Sequence, residues 1–176
     1  MKPFTSGYVS NRVLKLNVGF LLSSGPGHNH DTAFDTPAVR VSDDLTLNYI
    51  RGALRLSRTK EGILVQGQLY VGVEDECYRC LEPVSREVRI DLEELYAYPI
   101  PQGAEFSLSD DGILDLSPLL RAEALIEAGR GVLCRPHCKG LCPECGTNFN
   151  HATCSCAEDA LDPRLAPLKN LLDTNK

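Results

Sequence analysis

Residues 45–98 read LTLNYIRGALRLSRTKEGILVQGQLYVGVEDECYRCLEPVSREVRIDLEELYAY. Ile50, Gly52, Leu54 and Leu56 alternate with Arg51, Ala53, Arg55 and Ser57. After the polar turn Thr59-Lys60-Glu61-Gly62, apolar or small residues take every second position: Ile63, Val65, Gly67, Leu69, Val71 and Val73. A third run, Val84, Val88, Ile90 and Leu92, alternates with Ser85, Glu87, Arg89, Asp91 and Glu93, and Arg86 interrupts its apolar side once. A period of two buries one side of a strand and wets the other. Antiparallel neighbours need only short connections. The stretch therefore predicts a β-meander, a barrel-like antiparallel sheet, with Cys77-Tyr78-Arg79-Cys80 at a hairpin end beside Pro83.

On the N-terminal side, residues 12–21 alternate well enough to predict a strand. The Gly/Pro-rich residues 23–37 predict a loop carrying His28 and His30, with a short strand at 38–42. On the C-terminal side, residues 99–116 look irregular. Ser117 is a good N-cap and Pro118 suits a first helical position. A helix is expected over about 118–128, with Leu119, Ala122, Leu125 and Ile126 on one face and Gly129 and Gly131 to stop it. Leu161, Leu165, Leu168, Leu171 and Leu172 predict a short helix from about Ala166, after a turn at 162–164. The fold class is α+β: the sheet, one central helix, and a C-terminal Cys-rich zinc-knuckle module with a short helix. Two parts are expected, residues 1–130 (mainly β) and residues 131–176 (zinc module and terminal helix) packed on them.

The chain has 176 residues, 43% hydrophobic and 24% charged, which is ordinary for a folded soluble chain. No apolar run nears the roughly 20 residues a membrane span needs, and Lys2, Asn11, Arg12, Lys15 and Asn17 break up the N-terminus. The expectation is a cytoplasmic protein with no membrane partner. The net charge of −6 divides into +4 over residues 1–60, −11 over 61–129 and +1 over 130–176. A basic face could still meet phosphate, although an acidic, solvated surface is the plainer reading.

There are eight cysteines: Cys77, Cys80, Cys134, Cys138, Cys142, Cys145, Cys154 and Cys156. Without a secretory context, clustered CxxC pairs point to metal rather than disulfides. Zinc takes four thiolate or imidazole ligands in a tetrahedron, and CxxC followed by Gly places two sulfurs on one ion. Cys142-Pro143-Glu144-Cys145-Gly146 has that form. The preferred partition is Cys142, Cys145, Cys154 and Cys156 for a first site, and Cys77, Cys80, Cys134 and Cys138 for a second. The spacing leaves the pairing and the count, one or two structural zinc ions, open. His137 and His151 lie close in sequence and could substitute for a thiolate, although a lone His beside a zinc knuckle is more often solvent-facing or a phosphate contact. No catalytic motif or small-molecule site stands out.

One family carries these features in this order. CYRCLEP at Cys77–Pro83, DLEELY at Asp91–Tyr96, Asp115-Leu116, CKGLCPECG at Cys138–Gly146, Asn148-Phe149-Asn150, Cys154-Ser155-Cys156 and Asp162-Pro163-Arg164 together resemble the YceD family, described as large ribosomal RNA subunit accumulation proteins. The resemblance spans about residues 12–172. It implies a non-enzymatic ribosome biogenesis factor supporting accumulation or processing of large-subunit (23S) rRNA, with that rRNA or an early ribosomal protein as partner. Some members lack much of the C-terminal cysteine cluster, which implies that metal serves stability in this branch. Phosphate contacts are expected from Arg51, Arg55 and Arg58 on the hairpin and from Arg135, Lys139 and Arg164 around the zinc module. The alternative is a redox-sensitive zinc or thiol protein using the Cys77/Cys80 pair. A weaker third reading is a nuclease built on Asp110, Asp111 and Asp115.

Overall fold

The computed structural model describes residues 11–100 and 103–156 of the chain. In chain order they form a 3-10 turn at Asn11–Leu14, then β1 (Lys15–Asn17), α1 (Gly19–Ser23), β2 (Asn29–Arg40), β3 (Thr46–Arg58), β4 (Gly62–Glu76), β5 (Pro83–Ala97), β6 (Ile113–Asp115) and α2 (Ser117–Ala128). The meander read from the alternation is present as one antiparallel sheet in the order β2-β3-β4-β5. It is open rather than a barrel, because β2 and β5 are its two edges and do not pair with each other. A separate two-stranded ribbon joins β1 to β6, with Lys15 opposite Asp115.

The inner face of the sheet carries Ile50, Leu54, Leu56, Ile63, Val65, Leu69, Val71, Val88, Ile90 and Leu92, all buried in one cluster. Leu14, Val18 and Leu21 from the N-terminal segment, Leu108, Leu114 and Leu116, and Leu119, Leu120 and Ala124 from α2 close over that face. Burying one such side chain contributes about 1.5–3 kcal/mol, so truncating a central one such as Leu69 costs about 2–5 kcal/mol. Gly52 and Gly67 sit on the inner side with φ of 137° and 151°, and a Cβ there would fall 2.2 Å from the Gln68 carbonyl and 2.3 Å from the Ala53 carbonyl. Only glycine lets β3 and β4 approach this way.

Five expectations are corrected. Residues 12–21 are not a strand but a 3-10 turn, a three-residue strand and a one-turn helix. The loop expected over 23–37 is mostly the long edge strand β2. Its weak alternation reflects its place at the edge, where Phe34 and Val39 alone are buried and Pro37 is tolerated for want of an outer partner. In α2 the buried stripe is Leu119, Leu120 and Ala124, continued by Leu116 just before the helix, whereas Leu125 and Ile126 are exposed. Finally, Ser117 does not cap the helix. The Asp115 carboxylate accepts its N–H at 2.8 Å and the Ser117 hydroxyl is buried without a partner. The left-handed residue after α2 is Gly131, not Gly129.

Arg86, the polar interruption on the inner side of β5, has a specific task. Its guanidinium pairs with Asp75 at 3.0 Å and donates to the Glu127 carbonyl at 2.9 Å, satisfying the C-terminal end of α2. Arg121 of α2 pairs with Asp44 in the β2–β3 turn. Among the described residues no helix is long and apolar enough to cross a membrane. The expected C-terminal helix and Arg164 lie outside the described residues.

Candidate metal centres

The β4–β5 connection holds Cys77 and Cys80, and the chain after α2 returns to it. Val132 bridges Cys77 in parallel, and the Tyr78 N–H donates to the Val132 carbonyl at 3.0 Å. That return delivers Cys134 and Cys138. The four sulfurs lie within 4.8 Å of one another, with Cys77 and Cys138 3.8 Å apart and Cys80 and Cys134 3.5 Å apart. A tetrahedron with zinc–sulfur bonds of about 2.3 Å has sulfur–sulfur edges of about 3.8 Å, so the spacing fits a zinc ion. Cys77, Cys80 and Cys138 are buried, and Val84, Leu133 and Leu141 pack around them in a second small core.

Cys142, Cys145, Cys154 and Cys156 form the other group, again within 4.8 Å. Here Cys142 is buried, Cys154 and Cys156 are half-buried and Cys145 is exposed. Among the described residues these two sets of cysteines are where potential metal-ligand atoms converge. His137 and His151 belong to neither set.

Both CxxC segments make the same turn. The Leu81 N–H donates to the Cys77 carbonyl at 2.8 Å and the Gly146 N–H to the Cys142 carbonyl at 2.9 Å; the Cys77 N–H reaches the Glu82 carbonyl at 2.9 Å and the Cys142 N–H the Thr147 carbonyl at 2.8 Å. The residue after the second cysteine takes positive φ in each, 72° at Gly146 and 58° at Leu81. Leucine pays about 1–2 kcal/mol for that conformation.

The electrostatics suit a cation. Four thiols this close cannot all ionise unaided, since each thiolate raises the next. Burial alone would push Cys77 up, but N–H groups of Cys134, Arg79 and Cys80 outweigh it and bring it to about 6. Burial pushes Cys80 far up. In the other group, the Thr147 hydroxyl and N–H draw Cys145 down to about 6, and the neighbouring Cys145 helps push Cys156 up to about 12. A divalent ion would stabilise all four thiolates at once.

Several supporting residues were not singled out as site residues from the spacing. Asn150 accepts the Lys139 N–H at 2.9 Å and donates to Cys138 Sγ at 3.2 Å, linking the loop of one centre to a sulfur of the other. Arg79 donates to the Cys138 carbonyl at 2.7 Å. Glu82 receives Cys80 Sγ at 3.4 Å and pairs with His151, whose ring holds the Glu82 carboxyl below its usual range. The available signal was Glu82 and Asn150 lying inside the motif-bearing stretches.

The expected phosphate contacts separate into two settings. Arg55 pairs with Asp31 at 2.8 Å and Arg51 with Asp35 at 3.4 Å on the outer sheet face. Arg58 holds its turn, donating to the Thr59 and Gly62 carbonyls at 2.7 and 3.1 Å. Arg135 and Lys139 are exposed beside the group of Cys77, Cys80, Cys134 and Cys138, the first centre in chain order. The acidic trio has local structural work: Asp111 accepts the Ile113 N–H at 3.0 Å, Asp115 serves Ser117 and Lys15, and Asp110 is exposed. Burial of Cys77 and Cys80 is unlike the partly exposed, electropositive setting of reactive thiols.

The family model for "Large ribosomal RNA subunit accumulation protein YceD" matches residues 65–172. An uncharacterized protein of Mycobacterium tuberculosis is 36% identical over 126 residues, covering 68% of this chain and 60% of its own length. One from Mycobacterium leprae is 33% identical over 129 residues, covering 68% and 57%. "Large ribosomal RNA subunit accumulation protein YCED homolog 1, chloroplastic" of Arabidopsis thaliana is 34% identical over 58 residues, covering 33% of this chain and 18% of its own. The chain thus spans about 60% of the length of the first curated relatives it matches. No solved structure matches it.

Proposed function

Since this chain belongs to the YceD family over residues 65–172, we propose that it is a cytoplasmic, non-enzymatic factor that supports accumulation of large-subunit (23S) rRNA. It acts by holding that rRNA or an early ribosomal protein during assembly. The observation that carries this reading is the family match, which runs through both cysteine groups and the strands that present them. The chemistry of the groups supports a holding role. Eight thiols arranged as two sets of four follow the pattern of structural zinc sites rather than that of a lone nucleophile.

In this reading Cys77, Cys80, Cys134 and Cys138 hold one zinc ion, and Cys142, Cys145, Cys154 and Cys156 hold another. Zinc bound by four thiolates supplies folding energy and has no open position for substrate. Arg79, Asn150 and the pair Glu82–His151 orient the sulfurs and join the two loops.

Depleting the protein in its host and measuring the ratio of large- to small-subunit rRNA tests the proposal. A selective fall in the large-subunit species, restored by the full chain, is expected. An unchanged ratio with normal ribosome profiles overturns the reading.

A further inference from the structure

The two groups of cations differ in what faces them. On the outer face of the sheet, Asp31, Asp35, Glu74, Glu87, Asp91 and Glu93 surround Arg51, Arg55 and Arg89, and each arginine is paired. A phosphate approaching there meets an acidic surface. The rim of the first centre is richer in cations, although Glu82, which pairs with His151 and also feels Arg135, is an acidic member of it. Arg135, His137 and Lys139 are exposed, and among the described residues none of them, nor Arg79, holds a carboxylate at ion-pair distance. The rim is tied together by the Arg79–Cys138 bond and the sulfur contacts of Cys77 with Cys138 and Cys80 with Cys134.

An aromatic ring stands on the same rim. Tyr78 is 63% exposed, and the turn that carries it is clamped on both sides by Cys77 and Cys80. One side of the ring lies against Gly131. Beyond Lys139, a shallow cleft of about 290 Å³ is lined by Lys139, Phe149, Thr153 and Cys154. An exposed ring among cations that form no close ion pair is the equipment with which proteins bind single-stranded nucleic acid: bases stack on the ring while the backbone follows the cations.

We propose that the rim of the first centre, Tyr78 with Arg79, Arg135 and Lys139, is a binding surface for single-stranded RNA. A base stacks on Tyr78 and neighbouring phosphates meet Arg135 and Lys139, while the outer sheet face takes no part. This rests on the rRNA route of the function proposed above and assigns it a place.

The test is fluorescence anisotropy of the zinc-loaded full chain with a labelled 12-nucleotide single-stranded RNA across a range of salt. Tyr78→Ala is expected to weaken binding about 5- to 100-fold, with Tyr78→Phe restoring it. Arg135→Ser with Lys139→Ser is expected to flatten the slope of log affinity against log salt by about 1.4. Arg51→Glu with Arg55→Glu is expected to leave binding unchanged. Zinc content, measured on each variant, separates a lost contact from a lost fold. Binding that ignores the rim variants, or that is lost with the sheet variant, overturns the surface. A wild-type chain that binds no RNA yet restores large-subunit rRNA in depleted cells also overturns it, leaving the assembly role with a protein partner. An rRNA ratio that never falls on depletion overturns the assembly reading itself, whatever the anisotropy gives.

Discussion

The two cysteine centres use the same turn for different ends. Cys142, Cys145, Cys154 and Cys156 come from one short stretch, and the site they make is partly exposed. Cys80 and Cys134 stand 54 positions apart, and their site is buried in its own small core between the sheet and the returning chain. With metal bound as proposed, the first centre would fasten two regions together, and the second would organise a loop too short to fold by burial alone. The difference teaches that the fold decides which sulfurs meet, while burial tells what the meeting holds together.

The sharpest way to break this comparison is to remove one thiolate from each centre in turn. Cys138→Ser should abolish one zinc per chain, expose residues 131–156 to protease, and cost more than about 3 kcal/mol of stability, a fraction of the roughly 10–16 kcal/mol a structural zinc supplies. Zinc content by mass spectrometry and limited proteolysis read the result. Cys145→Ser should also remove one zinc but move the melting midpoint of the sheet by less than about 4 °C. Equal thermal losses in the two variants would dissolve the distinction between fastener and local organiser.

A smaller effect sharpens the link between the centres. Asn150→Leu removes the donor to Cys138 Sγ, and loss of such an outer hydrogen bond weakens metal affinity about 10- to 100-fold. The loss should fall on the buried centre although Asn150 lies within the loop of the exposed one, which competition with a chromogenic chelator can resolve. Smallest of all, Leu81→Gly should stabilise the chain by about 1 kcal/mol, and Gly146→Leu should cost about the same. A Cβ at Gly146 meets nothing within 4 Å, so only the backbone conformation is at issue. Denaturant midpoints of the two variants should move in opposite directions.

Much of this was legible because local pattern and global packing agreed. Residues 63–73 and, apart from Arg86, 84–92 alternate, and their apolar sides are the inner face of the sheet. The cysteine spacing pointed to the two sets that the fold brings together. What failed did so where tertiary context overrides local pattern. The edge strand β2 buries too little to alternate, so its Gly/Pro-bounded sequence reads as loop. The helical face was misplaced because Leu125 and Ile126 are apolar yet exposed, and hydrophobicity alone does not say which way a helix is turned. Asn150, Glu82 and Arg79 act through hydrogen bonds to atoms far along the chain, and no spacing rule registers such contacts.

The long separation within the first centre also has a meaning in time. A ribosome adds about 5–20 residues each second, so Cys77 and Cys80 emerge and wait roughly 3–11 s before Cys134 follows 54 residues after Cys80. For that interval the hairpin offers half a site, two thiols open to oxidants and to any soft metal ion. The second centre has no such delay, since its four cysteines are made almost together. With zinc bound as proposed above, its supply at the moment of synthesis would decide the fate of the buried centre more than that of the exposed one, the opposite of the order in which the finished protein would surrender its ions.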